Sequence, residues 1–301
     1  MKKVGKFIGC FMPILAALGC QLFVSFVGSF IFGIVVSAQV FAQGVTDAAE
    51  AEALMLQKMA DSNMLMLITA FATITTLIVG ALWFKRHRPQ NDLSLKTVCN
   101  VKLLASMCMM GIALQLLISM CLKAVYPMLP QTLTDQYNEL METLIGGNVW
   151  LSLFVTVILA PLAEELLFRG VTLRKAAKIM PFMAANVLQA VLFGVYHMNL
   201  IQGIYAFVLG LLLGYVAEYF HSIWASILLH AFVNGGAQLL NLLPESISQS
   251  IVGVIGLAVV GVLLLIVGAK MFPGARTESV AAEPGIQESE KLTENLFDEN
   301  E

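Results

Sequence analysis

The chemistry-bearing residues of this chain are few and concentrated in its central third. Glu164 and Glu165 are adjacent carboxylates, Arg169 follows four positions after Glu165, and His197, His230 and Asn234 come later. A glutamate placed four residues N-terminal to an arginine is the favourable ion-pair spacing on a helix. The pattern therefore predicts a Glu165–Arg169 brace. Glu164 projects about 100° away on the same helix and is left unpaired, which suits a general base. His230 and Asn234 also stand four apart and share a helix face, offering two hydrogen-bond donors side by side. Adjacent donors of this kind can hold a developing oxyanion. Phe193, four residues before His197, reads as packing that orients the turn beneath that histidine.

Each piece has an unremarkable explanation when taken alone. A Glu–Arg pair can simply neutralise itself, a lone histidine can be a hydrogen-bonded packing residue, and an asparagine can bridge two helices. Four polar side chains on three neighbouring apolar segments serve packing poorly and catalysis well. Two histidines and a glutamate also suffice in number for a Zn2+ site, the candidate ligands being Glu164, His197 and His230. No HExxH spacing is present, and Arg169 already neutralises one carboxylate. A site that requires no cofactor is the favoured reading.

What must position these groups is membrane helix. Hydrophobic residues make up 58% of the 301-residue chain and charged ones only 12%, which a soluble surface cannot accommodate. Apolar stretches at about 8–36, 62–84, 103–122, 148–173, 181–198, 202–220, 222–243 and 248–269 give eight expected spans. Unbroken apolar runs exclude the alternation of barrel strands, so the fold class is all-α, a polytopic membrane protein of about eight transmembrane helices. The uncharged run from Phe7 to Thr46 exceeds a signal-peptide core and is expected to stay as a first span. Glu164 and His197 lie about equally far from the Met180-Pro181 junction, so an antiparallel hairpin would bring them together. Gly210-x-x-x-Gly214 would let another helix approach closely, read as packing within the chain. Cys10, Cys20, Cys99, Cys108 and Cys121 show no disulfide or zinc pattern. Three regions result: N-terminal helices over 1–140, a catalytic core with the final helix over 141–272, and a disordered acidic cytoplasmic tail over 273–301.

Glu164-Glu165-x-x-x-Arg169, Phe193-x-x-x-His197 and His230-x-x-x-Asn234 together resemble the three motifs of the CPBP family of intramembrane proteases. These are the CAAX prenyl proteases and Abi-like bacteriocin-processing enzymes, commonly labelled metalloproteases, for which a metal-free glutamate mechanism has also been argued. The resemblance covers about residues 145–240. It implies that Glu164 activates water with help from His197, that His230 and Asn234 stabilise the oxyanion, and that Glu165 and Arg169 form a structural pair. The implied substrate is a protein or peptide in the lipid bilayer, prenylated or CAAX-like, with no nucleic-acid partner. The implied location is a bacterial plasma membrane. The competing reading is a non-catalytic bacteriocin self-immunity or partner-binding protein, which would tolerate loss of Glu164.

Charge sets an expected orientation. Lys2, Lys3, Lys6, Lys85, Arg86, Arg88, Arg174, Lys175, Lys178, Lys270 and Arg276 all fall on one side of an eight-span map, whereas Asp47, Glu50, Glu52, Asp61, Asp135, Glu139 and Glu142 fall on the other. Basic loops stay in the cytoplasm, so both termini and the 85–96 loop are expected there. Reporter fusions to that loop and to the C-terminus should both report the cytoplasm. A C-terminal fusion reporting the outside would require the 202–243 region to be divided differently.

Overall fold

The computed structural model describes residues 2–60, 63–87, 92–145, 147–248 and 250–281, and among these the secondary structure is entirely helical. The main helices are α1 (Met12–Ala42), α2 (Met64–His87), α3 (Val101–Val125), α4 (Val149–Ala177), α5 (Phe182–Tyr196), α6 (Leu200–Tyr219), α7 (Ile223–Asn241) and α8 (Ile251–Ala281). All but α5 are long and apolar enough to cross a membrane. The protein is thus an all-α polytopic membrane protein. With 15 residues, α5 reaches about 22 Å, short of a hydrocarbon core of about 30 Å. It ends at His197 and folds straight back into α6, through Met198 at φ 54° and an Asn199 cap that accepts from the Gln202 amide.

The α5–α6 hairpin closes because glycines face each other. A Cβ on Gly194 would lie 2.6 Å from the Gly203 carbonyl oxygen, and one on Gly210 would lie 3.1 Å from the Ala190 Cα. At Gly214 the space is taken by Asn186, whose Oδ1 would be 1.9 Å from an added Cβ. The Gly210-x-x-x-Gly214 pair therefore packs within the chain. Gly111 does the same for α3 against Phe232 and Val233 of α7, and Gly80 lets α2 lie on Leu166 and Leu167 of α4.

Contacts identify the two ends of the bundle. At one end Arg174 pairs with Asp92, the Lys175 ammonium donates to the Gly9 carbonyl at 2.6 Å, the Leu93 amide donates to His221, and Asn100 donates to the Ala275 carbonyl at 3.2 Å. At the other end Asn63 accepts from the Asn148 amide at 2.8 Å, and Ser152 donates to Leu144. There the amphipathic helix Gln131–Ile145 half-buries Leu133, Tyr137, Leu140, Met141 and Leu144 and exposes Asp135, Glu139 and Glu142. Arg174, Lys175 and Arg276 lie at the first end, and Asp135, Glu139 and Glu142 at the second.

One boundary moves. The tail expected to be disordered from 273 is helical as far as Ala281, because α8 continues through Pro273. Ala275 is fully buried, its carbonyl accepts from Asn100, and Arg276 donates to the Tyr219 carbonyl at 2.8 Å while stacking on its ring. Those contacts outweigh the polar composition. Residues 282–301 of the expected tail lie outside the described residues. All five cysteines are free.

The hairpin contact can be tested directly. Gly194→Ala should lower stability by about 1–3 kcal/mol, the usual cost of overpacking against an unyielding neighbour. The measurement is the thermal unfolding midpoint of detergent-purified protein; an unchanged midpoint would show that the helices separate freely.

Candidate active site

Site geometry begins with a defect in α4. Two segments of this helix, Phe154–Leu159 and Leu166–Leu173, have the wider π-helical turn and bracket Ala160–Glu165. Such widenings recur at functional sites. The first has a cause in the sequence. The Ala160 amide donates to the Val155 carbonyl, five residues back, and in that register the next donor would serve the Thr156 carbonyl. That next residue is Pro161, which has no N–H. The vacant acceptor is taken by Asn234 of α7, whose Nδ2 donates to it at 2.8 Å. Gln238, one turn further along α7, donates to the Ser152 hydroxyl at 2.7 Å.

The two carboxylates then differ as the spacing predicts. Glu165 is fully buried and its Oε1 accepts from Arg169 at 2.8 Å, forming the expected ion pair. It also accepts from His230 Nδ1 at 2.8 Å, so it joins α4 to α7 as well as bracing Arg169. Arg169 donates onward to the Gly210 carbonyl at 3.1 Å, and its guanidinium stands 4.4 Å above the Phe193 ring. Glu164, with 16% of its side chain exposed, faces His230 Nε2 across 3.8 Å. It lies within electrostatic reach of His197, Tyr196 and Tyr205.

Hydrogen bonds also assign the tautomers. Against an arginine-paired carboxylate, His230 Nδ1 must carry the proton; against the Phe193 carbonyl, 2.8 Å away, so must His197 Nδ1. In their neutral forms both imidazoles keep an Nε2 lone pair. His230 therefore donates from Nε2 only when doubly protonated, which weakens the expected arrangement of two ready donors. Asn234 retains a second N–H beside the one on Thr156. Phe193, 1% exposed, sets both rings: it meets His197 edge-on at 4.7 Å and His230 at 5.8 Å. Lone-pair nitrogens and a carboxylate are the right donor types for zinc. Among the described residues, however, no three His, Cys, Asp or Glu side chains converge to hold a metal ion, and the set Glu164, His197, His230 is not brought together in that way.

Several participants were not singled out from the sequence. Gln238 continues the His230-Asn234 stripe at four-residue spacing, and Gln189 precedes Phe193 and His197 at the same interval, donating to the Gly210 carbonyl at 2.9 Å. Extending each motif by one helical turn would have found both. Tyr137 of the amphipathic helix meets Tyr205 at 6.4 Å, ring edge to face, and no spacing rule predicts that contact. Burial pushes the Tyr137 phenol up, which keeps it a neutral hydrogen-bonding group.

The site is thus a buried carboxylate–imidazole–guanidinium cluster inside a helical membrane bundle, with a second glutamate beside it. Residues 146–236 match the family model of Rce1-like type II CAAX prenyl endopeptidases. The match spans α4 to most of α7 and contains every motif residue. No curated protein and no solved structure matches the chain.

Arg169→Ala should cost about 3–5 kcal/mol, the usual consequence of leaving one member of a buried ion pair alone. Thermal unfolding in detergent measures it, and a midpoint equal to wild type would rule out a structural pair.

Proposed function

We propose that the chain is an intramembrane endopeptidase that hydrolyses a peptide bond by glutamate-activated water. The observation that carries this reading is Glu164, beside an Arg169-paired Glu165, facing His230 Nε2 across 3.8 Å. A gap of that size is too long for a direct hydrogen bond and too short for a water in line, so the shared water sits to one side and bridges both groups. With Nδ1 of each histidine already committed to its donor role, the two hydrogens of that water go to Glu164 and to one Nε2 lone pair, which orients it.

Glu164 takes one proton as the water oxygen attacks the peptide carbonyl. The carbonyl oxygen becomes negative and is met by the second N–H of Asn234, with His230 joining when it carries a second proton. Glu164 then returns its proton to the departing amine as the C–N bond breaks, releasing acid and amine products. Glu165 and Arg169 hold the imidazole and the Phe193 ring in place throughout. No step needs a metal ion.

The family-model match supports the substrate class we propose: a lipidated or otherwise membrane-associated protein cut near its C-terminus. Comparison of membrane proteomes from cells carrying wild type and Glu164→Ala should reveal a substrate trimmed only by the wild type. On that substrate Glu164→Gln should abolish turnover while keeping the wild-type melting point, since an amide cannot accept the proton. Asn234→Ala should retain residual activity, reduced about 100- to 1000-fold. Near wild-type cleavage by Glu164→Gln would sink the mechanism. Protection from a bacteriocin that survived Glu164→Gln would favour the binding role.

A further inference from the structure

His197 stands at the end of its helix. It caps the C-terminus of α5, where its amide reaches Gly194 at 3.3 Å and the next residue, Met198, has already turned to φ 54°. Its ring hydrogen-bonds to the Phe193 carbonyl and rests edge-on against the Phe193 ring. The residue directly before it, Tyr196, is bound much more firmly. The Tyr196 hydroxyl donates to Gln21 Oε1 of α1 at 2.6 Å, which uses its only hydrogen. Thr76 of α2, 2.9 Å from the same oxygen, must therefore be the donor to it. Thr76 is 2% exposed, so this bond is shielded from solvent and lipid. The Tyr196 ring also meets Phe168 of α4 at 5.3 Å, and Phe168 packs on Phe193 at 5.0 Å.

We propose that Tyr196, Gln21 and Thr76 are positioning residues for His197, and that α1 and α2 are consequently part of the catalytic apparatus although they lie outside the family-matched segment. The inference rests on the protease reading for its effect on turnover. The tether fixes the rotation of the last turn of α5 about its axis. That rotation decides where an imidazole at the helix end presents its Nε2. An α5 held only by its glycine contact with α6 could swivel; one gripped through Tyr196 by two further helices cannot.

The test uses the full-length protein in nanodiscs with remote variants that leave the site's own side chains intact. Thr76→Val and Gln21→Leu should lower kcat about 10- to 100-fold with little change in KM, the usual cost of removing the support of a site residue. Thr76→Ser, which keeps the hydroxyl, should restore wild-type turnover. In histidine-15N-labelled protein, the His197 resonances, assigned with His197→Gln, should move in Thr76→Val and Gln21→Leu and not in Thr76→Ser. If the wild type cleaves no substrate, the protease reading fails and the spectra alone decide the tether. Unmoved His197 resonances in both remote variants, or a kcat within twofold of wild type, would overturn the proposal. A lower melting point with unchanged spectrum and turnover would do the same, reducing the network to packing.

Discussion

Everything in the central part of this protein depends on keeping one ionised carboxylate, Glu165, stable at full burial. An isolated charge there would be prohibitive, and the structure offsets it with Arg169 on the same helix and His230 from α7. Arg169 must itself be satisfied, and so α6 offers the Gly210 carbonyl and α5 the face of Phe193. One carboxylate thereby dictates the approach of three helices to a fourth. The glycines at 194, 203 and 210 follow from the same requirement, since the α5–α6 hairpin can supply a carbonyl and a ring to one guanidinium only if its backbones nearly touch.

That division of labour explains how neighbouring glutamates can have opposite duties. Glu165 is consumed by structure, and Glu164, turned about 100° away, inherits the open side of the helix. The two histidines are treated alike: each spends its Nδ1 hydrogen on an acceptor inside the protein and keeps its Nε2. The site is therefore preorganised by bonds that face away from it, which is what a reaction with developing charge in a poorly solvated interior requires.

Much of this was legible from residue types and spacing. The eight apolar segments, the Glu165–Arg169 pair, the hairpin at Met180-Pro181 and the intrachain use of Gly210 and Gly214 all depend on local periodicity, which a single sequence displays. The links that periodicity does not encode were out of reach. The bond from Tyr196 to Gln21 and Thr76 joins positions far apart in the chain, and the His230–Glu165 contact depends on how α7 crosses α4. The extension of α8 to Ala281 was hidden for a different reason. Its polar residues look disordered until Asn100 and Tyr219 are known to face them.

Pro161 carries a consequence for biosynthesis. When α4 first enters the bilayer, its Thr156 carbonyl has no backbone donor in the π register, because the residue that would serve it lacks an N–H. In hydrocarbon such a group is costly to leave open. The donor that fills it, Asn234, belongs to a helix synthesised later, so this bond forms only once α7 is in place. Completion of the bond and arrival of Asn234 at the site are the same event. The bond that completes this turn of α4 therefore also fixes the position of Asn234 in the site.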